Sequence, residues 1–299
     1  MALPVTRGRV AGESVGAQGR RVWEFARRLG QQRGVPIALG LLVLVVLAAV
    51  FASVIAPYDP NATNAFNVNK APTGAYWLGT DAYGRDIFSR LIFGSRVAIE
   101  VGAIAVSLAI AGGVPLGLCA GYFGGLVDMV IMRLTDVVIA FPAIILALAI
   151  MGTLGAGIPQ LMVAIGFSAM PLYARLTRGQ TLSVREQDYV LAARAMGGTD
   201  IRLLRRHILP NVLSPLIVQG SLGVGFAILS EAGLSFLGVG VKPPTATWGG
   251  MLSQGLSLIR VSPYVTIFPG LAIFITVLAI NTIGDALRDV LDPRLRGSR

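Results

Sequence analysis

Five stretches of this chain, residues 35–58, 101–127, 137–174, 208–230 and 261–284, contain no Asp, Glu, Lys or Arg. A helix needs about 20 apolar residues to cross the hydrocarbon core of a bilayer, where every backbone polar group must find its partner within the protein. Each run is therefore long enough to cross at least once. The run 137–174 holds 38 residues, too many for one ordinary crossing. Its middle, Gly152-Thr153-Leu154-Gly155-Ala156-Gly157-Ile158-Pro159, has the composition of a turn. Split there, the chain has six crossings, near 35–56, 99–121, 137–151, 158–176, 213–238 and 265–283. The predicted class is an all-α polytopic membrane protein with six transmembrane helices. Only 13% of residues are charged, against about 25% in soluble domains.

The polar segments orient the crossings. Net charge is +10, which in a soluble chain would suggest nucleic acid. Here no basic patch belongs to a soluble domain, nucleic acid is not expected as a partner, and basic residues instead hold loops in the cytosol. Residues 1–34 carry seven arginines against two glutamates. The stretch 177–206 carries six arginines (Arg178, Arg185, Arg194, Arg202, Arg205, Arg206) against three acids (Glu186, Asp188, Asp200). Both are expected inside, as an even number of crossings requires, so both termini are cytosolic. The loop 57–94 falls outside, and its charges nearly cancel. The expected division is a basic tail over 1–34, a first helix and external loop over 35–94, a five-helix core over 95–290 enclosing a cytosolic loop at 177–210, and a tail over 291–299. Within the first tail, 23–29 reads as a short amphipathic helix on the membrane surface. Tail and apolar run are both too long for a signal peptide, so the first helix reads as an uncleaved anchor.

Chemistry is scarce. Cys119 and His207 each stand alone of their type, so neither an internal disulfide nor a His/Cys metal site can form. No GxxxxGK[ST] phosphate loop occurs. If this protein's work needs ATP, another chain binds it.

The polar segment 189–211 is the most suggestive. Residues 190–196 favour a helix, Gly197-Gly198 break it, and Thr199 or Asp200 can cap a second helix over 201–208 that stops near Pro210. Leu203, Leu204 and Ile208 then face inward, and Arg202, Arg205 and Arg206 outward. The spacing resembles the cytoplasmic loop of bacterial ABC importer permeases, which reads E-A-A, three residues, G, nine residues, I, one residue, L-P. Here Leu191-Ala192-Ala193 is followed by Arg194-Ala195-Met196, Gly197, nine residues, His207-Ile208 and Leu209-Pro210. Leu191 replaces the Glu and His207 the Ile, which removes the polar anchor of the first position. The resemblance implies a coupling helix that docks on a cytosolic ATPase, with Gly197 as the elbow, Leu209-Pro210 as the stop, and Arg205 and Arg206 binding acidic groups on that partner or lipid headgroups.

Two further segments narrow the family. Trp77-Leu78-Gly79-Thr80-Asp81-Ala82-Tyr83-Gly84-Arg85-Asp86 resembles the WLGTDxxGRD signature of permeases in the oligopeptide, dipeptide and nickel importer group. Ser230-Glu231-Ala232-Gly233-Leu234-Ser235-Phe236-Leu237-Gly238, with Pro243-Pro244-Thr245 and Trp248-Gly249 behind it, is similar to the fifth span and external loop of its C-type subunit. The first motif reads as a rigid turn, Asp81 capping and Arg85 pairing with Asp86, or else as a substrate contact. Glu231, an acid at membrane depth, reads as a structural or gating group, or as part of an ion path.

The resemblance covers about residues 35–293. It implies the type I importer permease fold, alternating access, and a homologous second permease, two ATPase domains holding ATP and Mg, and an extracytoplasmic substrate-binding protein as partners. The implied cargo is di- or oligopeptides, or alternatively nickel chelates or another small solute. A secondary transporter driven by an ion gradient is the rival class, with Glu231 as its one buried acid candidate.

Overall fold

The structure, a computed structural model, describes residue 27, residues 29–32 and residues 34–291. The basic tail and its amphipathic segment lie almost wholly outside the described residues, as does the end of the C-terminal tail. Among the described residues the fold is helical, with an isolated bridge between Thr80 and Asp86.

The first apolar run forms α1 (Val35–Val50), with proline in its first turn, and a short α2 (Ala52–Ile55). The break at Phe51 frees carbonyls at the end of α1, and Arg96 of the next helix donates to one of them, Ala49 O, at 3.0 Å. Small residues Ala38, Ala49 and Ala52 are buried, while Ile37, Leu44 and Val54 point outward, as lipid-facing side chains do.

Helix α3 (Ile87–Phe123) has 37 residues and so is about 55 Å long, more than a bilayer needs. It starts well before the predicted crossing at 99, because the Asp86 carboxylate accepts from Ser89 N at 2.8 Å and caps a helix that takes in the end of the predicted loop. A stripe of glycines brings α3 against α6 (Ile158–Arg185). A Cβ at Gly113 would sit 2.6 Å from Met170 O, and one at Gly121 would sit 2.7 Å from Thr181 Cβ. Small residues at such a seam let backbones approach where lipid offers no hydrophobic drive. Helix α6 runs unbroken through Pro171 and continues nine residues past the predicted crossing.

The third crossing differs most from expectation. Residues 125–154 form two helices, α4 (Gly125–Ile139) and α5 (Ala143–Leu154), bent by 89° at their junction. Pro142 explains the break: it has no N–H to donate, and the residue before it is pushed out of the helical region. Helix α4 lies almost wholly before the predicted crossing at 137, and α5 alone, 12 residues or about 18 Å, is too short to cross.

After α6 come α7 (Asp188–Ala195) and α8 (Asp200–Leu203). A single π turn, Leu204–Ile208, joins α8 to α9 (Leu209–Phe236). A short external helix, α10 (Trp248–Leu256), precedes α11 (Tyr264–Leu291). Helix α10 falls where an irregular loop was expected. The Thr247 hydroxyl accepts from Gly250 N at 3.0 Å, and Trp248 and Met251 are buried against the bundle. Among the described residues, helix α3, the rod from Asp200 to Phe236, and α11 are each long and apolar enough to cross a membrane, and the bent pair α4–α5 adds a fourth if its two helices are one span. With α1–α2 and α6 they complete a six-crossing helical bundle.

Candidate coupling site and external clamp

The first site, over 188–210, is an elbow between two rods. Helix α6 ends at Arg185, and two residues later α7 turns back. Its C-terminus closes as a Schellman motif: Gly198 N donates to Ala193 O at 3.1 Å and Gly197 N to Arg194 O at 3.0 Å. Gly197 supplies the left-handed residue this needs, at φ +79°. Nothing crowds its missing Cβ, so the backbone angle demands glycine there, while Gly198 is demanded by contact, its Cβ position lying 2.7 Å from Ala193 O. The elbow is thus fixed in shape by Gly197 rather than freed by it.

The second rod corrects the sequence reading. Leu209-Pro210 is no stop. The helix begun at Asp200 passes through Pro210 to Phe236. The π turn makes this possible: Leu209 N reaches back five residues to Leu204 O. Such local re-registering is how helices at membranes tolerate proline. The helix after the elbow and the fifth crossing are therefore one continuous rod.

Side-chain placement follows the predicted amphipathicity. Leu203 and Ile208 are fully buried and Leu204 partly so, while Arg202, Arg205 and Arg206 are exposed. Leu191, Ala192 and Arg194 are exposed and Ala193 half-buried. Tyr122, at the inner end of α3, ties the elbow down. Its hydroxyl donates to Asp200 Oδ1 at 2.6 Å, and the Arg194 guanidinium lies 5.3 Å over its ring. Arg185 donates to Gly121 O at 2.8 Å, covering a free carbonyl at the end of α3. No local pattern marks Tyr122 in the sequence, because its partner lies 78 positions away. It did carry one for Met196 and Ile201, apolar residues flanking the glycine pair in a polar island, which stand 82% and 70% exposed.

The Trp77–Asp86 motif forms a closed clamp. The Asp81 carboxylate accepts from Tyr83 N at 2.8 Å, Arg85 N at 3.0 Å and Arg85 Nε at 2.7 Å. Arg85 also donates to Gln254 of α10 at 2.7 Å. Arg90, almost fully buried, donates to Pro60 O at 2.8 Å. The expected roles are exchanged: Asp81 pairs with Arg85, and Asp86 caps the helix. Gly79 has φ +83°, and a Cβ there would meet Lys70 O at 2.6 Å and the Tyr264 ring at 2.9 Å. Gly84 sits equally tightly on the Asn64 carbonyl. Trp77 stands apart, exposed and tilted against Phe88. Glu231 is buried in α9 and accepts from Ser235 Oγ at 2.8 Å. That carboxylate also faces Thr247 at the start of α10, so it ties the end of α9 to α10.

Between clamp and elbow lies a cavity of about 530 Å³, walled by α3, α6, α9 and the break between α4 and α5. Phe141, Pro142, Leu172 and Phe226 line it, with Ser168 and Gln219 as polar groups.

Residues 113–297 match the model of the binding-protein-dependent transport system inner membrane component. Residues 20–72 match the N-terminal transmembrane domain of oligopeptide transport permease C. The chain belongs to this family. The permease is 45% identical over 282 residues to a glutathione transport system permease protein, GsiD, of Pectobacterium atrosepticum, covering 93% of each chain. It is 44% identical to GsiD of Escherichia coli O6:K15:H31, covering 94% of this chain and 93% of that one. Among solved structures it resembles the inward-facing methionine ABC transporter MetNI, with a TM-score of 0.57 at 18% identity, over 68% of this chain and 96% of that one. An amino acid ABC transporter gives 0.53 at 15% identity, over 67% and 94%. These two bear on fold alone. The permease is a multi-pass inner membrane subunit of an oligopeptide/dipeptide-type ABC importer, with the type I permease fold, and is not itself an enzyme.

Proposed function

We propose that the permease forms half of the passage for short peptides, with the tripeptide glutathione as the first candidate, and that the elbow over 188–210 couples it to cytosolic ATPases. The observation that carries the cargo reading is the 45% identity to a glutathione permease over 93% of both chains. The coupling reading is supported by the exposed face of Leu191, Ala192, Arg194, Met196, Ile201, Arg205 and Arg206 on a rigid elbow. Both termini lie in the cytosol, which puts the elbow on the same side as the ATPases. A homologous second permease closes the cavity, two ATPase domains hold ATP and Mg, and an extracytoplasmic protein delivers the peptide. Closure of the ATPases moves the elbow, and the Asp200–Phe236 lever tilts the wall of the cavity. This is alternating access driven by coupling between separate sites. The buried ion pairs support a structural reading of the external motif, since Asp81 and Arg85 satisfy one another and leave little to offer a substrate.

The test is uptake into liposomes carrying the whole complex. Glutathione should accumulate only with ATP, and di- and tripeptides should compete. Accumulation of a nickel chelate instead, or uptake driven by a proton gradient without ATP, would overturn the reading.

A further inference from the structure

Helix α4 is attached to the molecule in an unusual way. Thr135 is its one buried residue, while Leu126, Val127, Met129, Val130, Leu134 and Val137 are exposed. Apolar packing therefore does little to hold it. Two ion pairs link it, side chain to side chain, to α6. Arg178 clasps Asp128 with two hydrogen bonds, Nε to Oδ1 at 2.5 Å and Nη2 to Oδ2 at 2.6 Å. Arg175 Nη2 meets Asp136 Oδ1 at 2.5 Å. The two acids are eight positions apart, near two helical turns and so on one face of α4, and the two arginines are neighbours on one face of α6. The pairs cross-link α4 to α6 at two points.

We infer that these rungs, Asp128–Arg178 and Asp136–Arg175, are the strut that carries motion of the cytosolic elbow to the broken third crossing, which makes the four side chains positioning residues for coupling. This rests on the reading of the elbow as the ATPase contact. Helix α6 leads into the elbow through Glu186 and Gln187 alone. When its inner half moves, the rungs take α4 along. The hinge at 140–142 then changes angle, and Phe141 and Pro142 at that hinge line the cavity. A bond network joined to an element with two arrangements is the kind of connection that can transmit such coupling. Ion pairs this open contribute little to stability, so their loss leaves the bundle folded.

The experiment follows movement in the whole complex, with Cys119→Ala as background. Spin labels are placed at Phe66→Cys outside, paired either with Met129→Cys on α4 or with Leu213→Cys on α9, and distances are measured without nucleotide and after trapping with ATP and vanadate. In the parent, both distances should change. With Asp128→Asn and Asp136→Asn together, the α9 change should persist and the α4 change should fall to about half or less. Exchanging one rung, Asp128→Arg with Arg178→Asp, should restore α4 movement relative to Asp128→Asn alone. An α4 distance that changes as in the parent when both aspartates are neutralised overturns the strut. Movement of neither pair in the parent would overturn the elbow reading, and the strut with it.

Discussion

The clamp over 77–90 and the elbow over 188–210 are built from similar residues, arginines, aspartates and left-handed glycines, yet one is closed and the other open. In the clamp, Asp81, Arg85 and Arg90 are buried and turned on one another and on nearby carbonyls. In the elbow, Arg202, Arg205 and Arg206 face outward beside Met196 and Ile201. A segment that satisfies itself serves the fold. One that keeps a rigid backbone and leaves its charges and apolar knobs uncovered is shaped for a partner. Gly79 and Gly197 make the same point: the first is held by contacts from Lys70 and Tyr264, the second by backbone angle alone.

Breaking the clamp should have the largest effect on the molecule. Asp81→Ala leaves Arg85 buried without its partner, a loss of about 3–5 kcal/mol. We expect a lowered unfolding temperature in detergent and little mature permease in the membrane. Gly197→Pro should do the opposite, since φ +79° is closed to proline. Membrane yield should stay near the parent's and ATP hydrolysis should continue, while uptake falls about tenfold or more. Parent-like transport by this variant would remove the elbow from the mechanism. Arg205→Glu with Arg206→Glu should sharpen the contrast further, lowering recovery of the ATPase in a pull-down at low salt, with a smaller difference near 1 M salt, where charges more than about 3 Å apart are screened. Equal recovery would assign these arginines to lipid or topology. Trp77→Ala should matter least: it is exposed, and its contact with Phe88 is worth no more than about 1.5 kcal/mol. A large loss of stability there would mean the clamp extends further than its buried ion pairs.

How legible these regions are in sequence follows from the range of the forces involved. Apolar runs and arginine placement are local and additive, and they gave six crossings. The Gly197 elbow and the inward set Leu203 and Ile208 were likewise readable, because capping and helical period act within a few residues. Three features were not. The early start of α3 turns on which of Asp81 and Asp86 caps, and that is decided by Arg85 reaching α10, 169 positions away. Helix α10 is short and finds its stability in burial of Trp248 rather than in propensity. The passage of a helix through Pro210 depends on a π turn, an adjustment the surrounding bundle supports and the proline itself argues against. Each of these three is a place where tertiary contact overrides a local rule, whereas the break in the third crossing follows a local one, the effect of Pro142 on its own backbone.

The central claim is that the open elbow is the surface that touches the ATPase. A photo-cross-linking amino acid at Met196, illuminated in the intact complex in its membrane, tests this most directly, with the same group at Phe66 outside as the reference. We expect Met196 to join the permease to the ATPase chain and Phe66 never to do so. Capture of lipid alone from Met196, while the ATPase still co-purifies with the complex, would contradict the account.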